Sequence, residues 1–154
     1  MTSHKFVKSA EKKKILAELG EQFGITELPY LLIESGKEKI RAFSGSLSKE
    51  EIIEIGSMAN VEGIGLYLLK KEETGLRLSF EALMLLSKQI TKNILDLDDK
   101  QLAFWIRGND IDINAPAGVY AIRHNGDFIG CGKSNGSRLF NYVPKERRLK
   151  KPLN

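Results

Sequence analysis

Apolar positions recur at two different periods along this chain, and the switches between them mark out its elements. Val7, Ala10, Ile15, Leu16, Leu19 and Phe23 fall at helical spacing and form one stripe. That stripe predicts a helix from about Phe6 to Phe23, with Gly24 placed to end it. After Pro29 the pattern becomes a continuous apolar run, Tyr30 to Ile33, which with Glu34 predicts a buried strand. Ser35-Gly36-Lys37 makes a turn, and Lys39 to Phe43 a second strand. Ser48 followed three residues later by Glu51 is a capping box, and it predicts a helix carrying Ile52, Ile53 and Ile55 that ends near Asn60. Gly63 to Lys71 returns to strand, and Leu76 to Leu78 pairs back across Glu73-Thr74-Gly75. Helix, two strands, helix and two strands describe an α+β layer of about seventy-five residues.

Ser79 to Gln89 is the next helix, with Ser79 as N-cap and Phe80, Leu83, Met84 and Leu86 apolar. It lies either at the junction with the segment that follows or wholly within the first layer. No repeat and no low-complexity linker separates the halves, so they are expected to pack together. The boundary falls near residue 90, giving an N-terminal α+β domain over 1–90 and a second domain over 91–154. Asn93 to Leu97 is a short strand. Asp98-Asp99 then places negative charge at the start of a helix holding Leu102, Phe104, Trp105 and Ile106, ended by Gly108. Asn109 to Ile113 forms a loop and a short strand, and Pro116-Ala117-Gly118 turns into a hairpin. Val119 and Tyr120 open its first arm, Phe128 and Ile129 lie in the second, and Asn125-Gly126 is the tight turn between them. Gly130 and Gly132 allow close approach of backbone.

Composition adds limits. A chain of 154 residues with 42% hydrophobic and 29% charged residues is an ordinary globular protein. No apolar run approaches the ~18 residues that span a bilayer, and Met1 to Lys5 leads directly into a charged helix without a signal-peptide core. The single cysteine, Cys131, excludes an internal disulfide, and with two histidines it argues against a protein-built zinc site. The expected setting is intracellular and cytoplasmic (nucleolar in a eukaryote), with no metal, no cofactor and no membrane. The net charge of +4 is unevenly spread. From Arg123 onward eight basic groups face two acidic ones, a balance of +6, which leaves −2 for the first 122 residues. A one-sided positive end suggests a polyanionic partner such as nucleic acid.

Three catalytic readings fail, each for its own reason. Gly126 to Ser134 approaches a phosphate-binding loop, but five residues separate Gly126 from Gly132-Lys133-Ser134 where four are needed. Only twenty residues follow Ser134, too few for a nucleotide-binding domain. Cys131 and His124 could form a nucleophile–base pair, yet a buried thiol and an exposed turn residue explain both more simply. Nothing before Gly118 supplies the glycine-rich loop of a methyltransferase. No enzymatic activity is expected, and no catalytic residue is assigned. Lys133, Arg138, Lys145, Arg147, Arg148, Lys150 and Lys151 can instead neutralise phosphates. Phe140 and Tyr142 are interleaved with them, either to stack on unpaired bases or to close a core.

The order of residues from Asn93 to Val143 resembles a PUA domain, a small β-barrel RNA-binding module. The residues that carry the likeness are the Asp-Asp helix, Arg107-Gly108-Asn109-Asp110-Ile111, Pro116 to Gly118, Val119 to Ile122, Asn125-Gly126 and Phe128-Ile129-Gly130-Cys131-Gly132. Gly108 and Gly132 would fill that family's two glycine positions; Ala117 departs from its usual Pro-Gly. An α+β domain directly before a PUA domain is similar to archaeal and eukaryotic factors of large-subunit ribosome biogenesis. Asn125 to Ser134, with Asn141 to Arg148, also resembles PUA-like domains associated with Sun-family RNA cytosine-5 methyltransferases. The resemblance implies a non-catalytic RNA-binding protein that acts on ribosomal or transfer RNA. Its expected RNA-binding residues are Arg107, Gly108, Asn109, Arg123, Lys133, Arg138, Tyr142, Lys145, Arg147, Arg148, Lys150 and Lys151. The alternative is an accessory subunit that docks on an RNA methyltransferase or assembly factor, with RNA contact incidental.

Overall fold

The computed structural model describes residues 4–36, 38–43, 50 and 65–142. The helix expected between Ser48 and Asn60 (residue 50 apart) and the basic tail from Lys145 to Lys151 lie outside the described residues. The first sheet is an antiparallel meander of β1 (His4–Phe6), β2 (Leu31–Ser35), β3 (Lys39–Phe43), β4 (Leu66–Glu72) and β5 (Gly75–Leu78), in that order. One face is covered by α1 (Ser9–Phe23), whose Ile15, Leu19 and Phe23 are buried against Leu32, Ile40, Leu69 and Leu76. Gly24 ends α1 in the left-handed region (φ 84°), its N–H bonded to the Gly20 carbonyl, as a helix C-terminus favours. The helix starts later than its apolar stripe suggests. Phe6 belongs to β1 and pairs with Ile33, because a short segment gains more from an open sheet edge than from an uncapped helical turn.

The helix expected over Ser79 to Gln89 is two pieces, α2 (Phe80–Leu85) and a 3₁₀ turn (Ser87–Gln89). Ser79 caps α2 through its hydroxyl, which accepts from the Ala82 N–H. The break frees the Gln89 side chain, which accepts from the Thr26 and Glu27 N–H groups and donates to the Glu27 carbonyl.

The second sheet has the order β6-β8-β9-β10-β7, formed by β6 (Ile94–Asp96), β7 (Ile111–Asp112), β8 (Gly118–His124), β9 (Asp127–Ser134) and β10 (Arg138–Asn141). Only β6 and β8 run parallel. Where a closed barrel was expected, β6 and β7 are edges among the described residues, so this sheet is a curled half-barrel. Strands of three and two residues are too short to close it. The fold is α+β, with a PUA-like β portion. Asn125 and Gly126 both have positive φ (47° and 84°), the geometry of the tight hairpin turn that Asn-Gly favours. Gly132-Lys133-Ser134, which approached a phosphate loop in sequence, is regular β9 strand, and the Ser134 hydroxyl is buried and donates to the Ala115 carbonyl.

Alternation along β8 and β9 divides their residues between two cores. Val119, Ala121, Phe128 and Cys131 join Ala82, Leu83 and Leu86 of the α2 segment and the first sheet in one continuous cluster. The segment Ser79 to Gln89 is therefore at the junction. Tyr120 and Ile122 face the other way, onto Leu97, Trp105, Ile111, Ala115 and Leu139 inside the half-barrel.

Candidate nucleic-acid interface

The loop that the sequence singled out begins where α3 (Asp99–Trp105) ends. Asp98 starts this helix with a reciprocal capping box: its carboxylate accepts from the Gln101 N–H at 2.7 Å, and the Gln101 side chain accepts from the Asp98 N–H at 3.0 Å. Gly108 follows with φ 90°, and its N–H reaches the Trp105 carbonyl. The chain thus leaves the helix sharply and presents Arg107, Gly108 and Asn109 on the surface.

Asn141, which was not among the expected RNA-binding residues, fixes that loop. Its side-chain amide donates to the Trp105 carbonyl at 2.6 Å and to the Asn109 carbonyl at 3.0 Å. Its backbone N–H donates to Asp110 Oδ1 at 2.9 Å. The other Asp110 oxygen is 3.9 Å from Arg138 Nε, so Arg107 to Asp110 and β10 form one locked unit. Half-exposed pairs of this kind contribute on the order of 0–1 kcal/mol, and Arg138 can exchange Asp110 for a phosphate at small cost. Among the described residues, Arg107 and Lys133 have no ion-pair partner.

Arg138, Phe140 and Tyr142 alternate along the chain, and Phe140 pairs directly with Lys133 of β9. All four therefore share the face opposite Leu139 and the half-barrel core. Of the two roles open to Phe140 and Tyr142, closing that core falls to Leu139 instead, which is fully buried. Tyr142 is already stacked: the Arg77 guanidinium lies 4.4 Å from its ring centroid. Burial, with the nearby Glu72 carboxylate, raises the Tyr142 phenol above its ordinary range.

Arg123 stands apart from this group. It lies at the far end of the β8–β9 hairpin from Lys133 and makes a two-pronged contact with Asp96, Nε to Oδ1 at 2.7 Å and Nη2 to Oδ2 at 3.0 Å. The Arg123 hydrogen bonds hold the Asp96 carboxyl below its usual range. Next to it, His124 Nε2 lies 2.7 Å from Asp99 Oδ1. These contacts join β8 to β6 and to the first turn of α3, and the Arg123 charge is engaged within the protein. Lys145, Arg147, Arg148, Lys150 and Lys151 lie outside the described residues.

Burial pushes the Cys131 thiol up to about 12, so it stays protonated and is a poor nucleophile. Cys131 also sits beside Ala121, three positions along β8 from His124. Among the described residues no group of three His, Cys, Asp or Glu side chains is placed to hold a metal ion. No helix among them is long and apolar enough to cross a membrane.

Comparison with known proteins matches the curled sheet and its loop. Residues 92–149 match the family model of the PUA domain of the methyltransferase RsmF. The chain is similar to the ribosomal RNA small subunit methyltransferase F of Aeromonas salmonicida (strain A449), 29% identical over 85 residues, and to that of Aliivibrio salmonicida (strain LFI1238), 32% identical over 84 residues. Each match covers 54% of this chain but only 18% of the relative. The C-terminal segment thus has a PUA-domain architecture of the kind associated with Sun-family ribosomal RNA methyltransferases.

Proposed function

We propose that this chain is a non-catalytic RNA-binding protein whose ligand is ribosomal RNA, acting in RNA modification or ribosome biogenesis. One observation carries the reading: Lys133, Arg138, Phe140 and Tyr142 share one face of β9–β10, beside the exposed Arg107 loop, within a segment matched by a PUA family model. Cations placed beside aromatic rings suit a single-stranded or looped RNA, in which phosphates and unstacked bases are both accessible. The basic tail from Lys145 to Lys151 would extend the same charge.

The test is fluorescence anisotropy with labelled single-stranded segments of small-subunit ribosomal RNA at ~50 mM salt. Wild-type protein binds, and K133Q/R138Q binds several-fold more weakly with an unchanged melting temperature. No binding by the wild type overturns the reading. A second reading, docking on a methyltransferase or assembly factor, is favoured by Met84 and Leu85, which are 46% and 47% exposed on α2. Under that reading M84S/L85S releases a protein partner and leaves RNA affinity unchanged.

A further inference from the structure

The first sheet carries an arrangement that its own stability does not explain. Lys39 of β3 pairs directly with Lys70 of β4, and Lys70 pairs directly with Arg77 of β5. Three cations thus stand in a row across three neighbouring strands, on one face. Like charges directly opposite each other destabilise a sheet. The protein relieves the row only in part. The Lys39 ammonium lies 5.6 Å from the Tyr67 ring centroid, and Arg77 has Glu72 at 3.4 Å and Tyr142 beneath it. Arg41, paired with Tyr67 across β3 and β4, adds a fourth cation on the same face and donates to the Gly65 carbonyl.

This row ends at a cleft of about 570 Å³ between the two sheets. Arg41, Tyr67, Arg77 and Phe80 line it from one side, and Gly130, Cys131 and Tyr142 from the other. A cleft of that size admits a nucleobase with its sugar. Its walls offer what an unstacked base requires, namely rings and a planar guanidinium to lie against, with charge at the mouth for the flanking phosphates. Glu81 is the one carboxylate on the wall among the described residues; it repels a phosphate and can accept from a base amine. Tyr142 belongs both to this cleft and to the β9–β10 face, so the two surfaces are continuous.

We propose that the first sheet and this cleft form a second RNA-binding surface, in which backbone phosphates run along Lys39, Arg41, Lys70 and Arg77 and one unstacked base enters between the sheets. The proposal rests on the RNA-binding reading and extends it to the N-terminal layer. The occupant is a nucleotide within a strand, because a free nucleotide would leave the row of cations unused.

Two measurements on the full chain test it. The first is photocrosslinking with a single-stranded RNA of about 12 nucleotides bearing one 4-thiouridine. Adducts are expected on peptides containing Tyr67, Phe80 or Cys131, and their absence while adducts form at the Arg107 loop overturns the cleft. The second is affinity. R41Q/K70Q is expected to bind about tenfold more weakly than wild type, with the salt slope reduced by about 1.4 for two lost phosphate contacts. Tyr142→Leu is expected to lose about as much, while Tyr142→Phe, which keeps the ring, is expected to bind like wild type. If R41Q/K70Q matches wild type while K133Q/R138Q is weakened, this inference fails and the RNA-binding reading stands. If wild-type protein binds no RNA, both fail.

Discussion

The indole of Trp105 closes on Gly132: a Cβ added there would stand 2.7 Å from Trp105 Cη2 and 3.0 Å from the Phe140 carbonyl oxygen. Trp105 is fully buried, and the Phe140 oxygen belongs to the neighbouring strand, so neither can move aside easily. Gly132→Ala is therefore expected to cost about 1–3 kcal/mol, as overpacked cores do. Urea unfolding followed by Trp105 fluorescence measures it; a loss under ~0.5 kcal/mol would show that this glycine is not needed for packing.

Asp98 and Gln101 satisfy each other's backbone N–H groups at the start of α3. Asp98→Ala is expected to destabilise the protein by about 1 kcal/mol, and Asp98→Asn by much less, because asparagine keeps the accepting oxygen. Chemical denaturation of the two variants side by side checks the ranking. Equal losses would show that the charge of Asp98, not its cap, is what counts.

Arg123 and Asp96 give a pH signature. The folded state holds Asp96 below its ordinary range, so this carboxylate contributes stability that is present above its unfolded pKa. The contribution is lost as pH falls through the lower, folded value. Arg123→Gln is expected to lower Tm slightly at neutral pH, with the gap from wild type closing as the solution is acidified into the carboxylate range. A gap that stays constant to acid pH would assign the effect of the substitution to packing against Phe128, whose ring centroid lies 5.9 Å from the guanidinium.

Cys131 is a probe of the junction. With its thiol pushed up to about 12, native protein at mildly alkaline pH holds on the order of 10³ less thiolate than an ordinary cysteine. Labelling by iodoacetamide is expected to be correspondingly slow until denaturant opens the core shared by the two sheets. Rapid native labelling would mean that the cleft beside Cys131 opens freely.

What the sequence revealed was local. Asn125-Gly126, the Asp98 cap, Gly24 and Gly108 each act within a few residues, so their patterns carried to the structure. What it hid depends on pairing at a distance. The three-residue β1 is a strand only because β2 offers an edge, and Phe6 alone cannot signal this. Arg123 looked like part of the basic end of the chain, yet Asp96, 27 residues earlier, takes both prongs of its guanidinium. Lys39, Lys70 and Arg77 are scattered in sequence and become a row only through strand register. Asn141 lay in a family-like stretch that assigned it no task, and its role as the tie between β10 and the Arg107 loop follows from where β10 runs.

The central claim, RNA binding through phosphate contacts, is tested most directly by affinity for single-stranded ribosomal RNA as a function of salt. Contact with about four to six phosphates predicts a log–log slope near −3 to −4. A flat dependence, or no binding at ~50 mM salt, would contradict it.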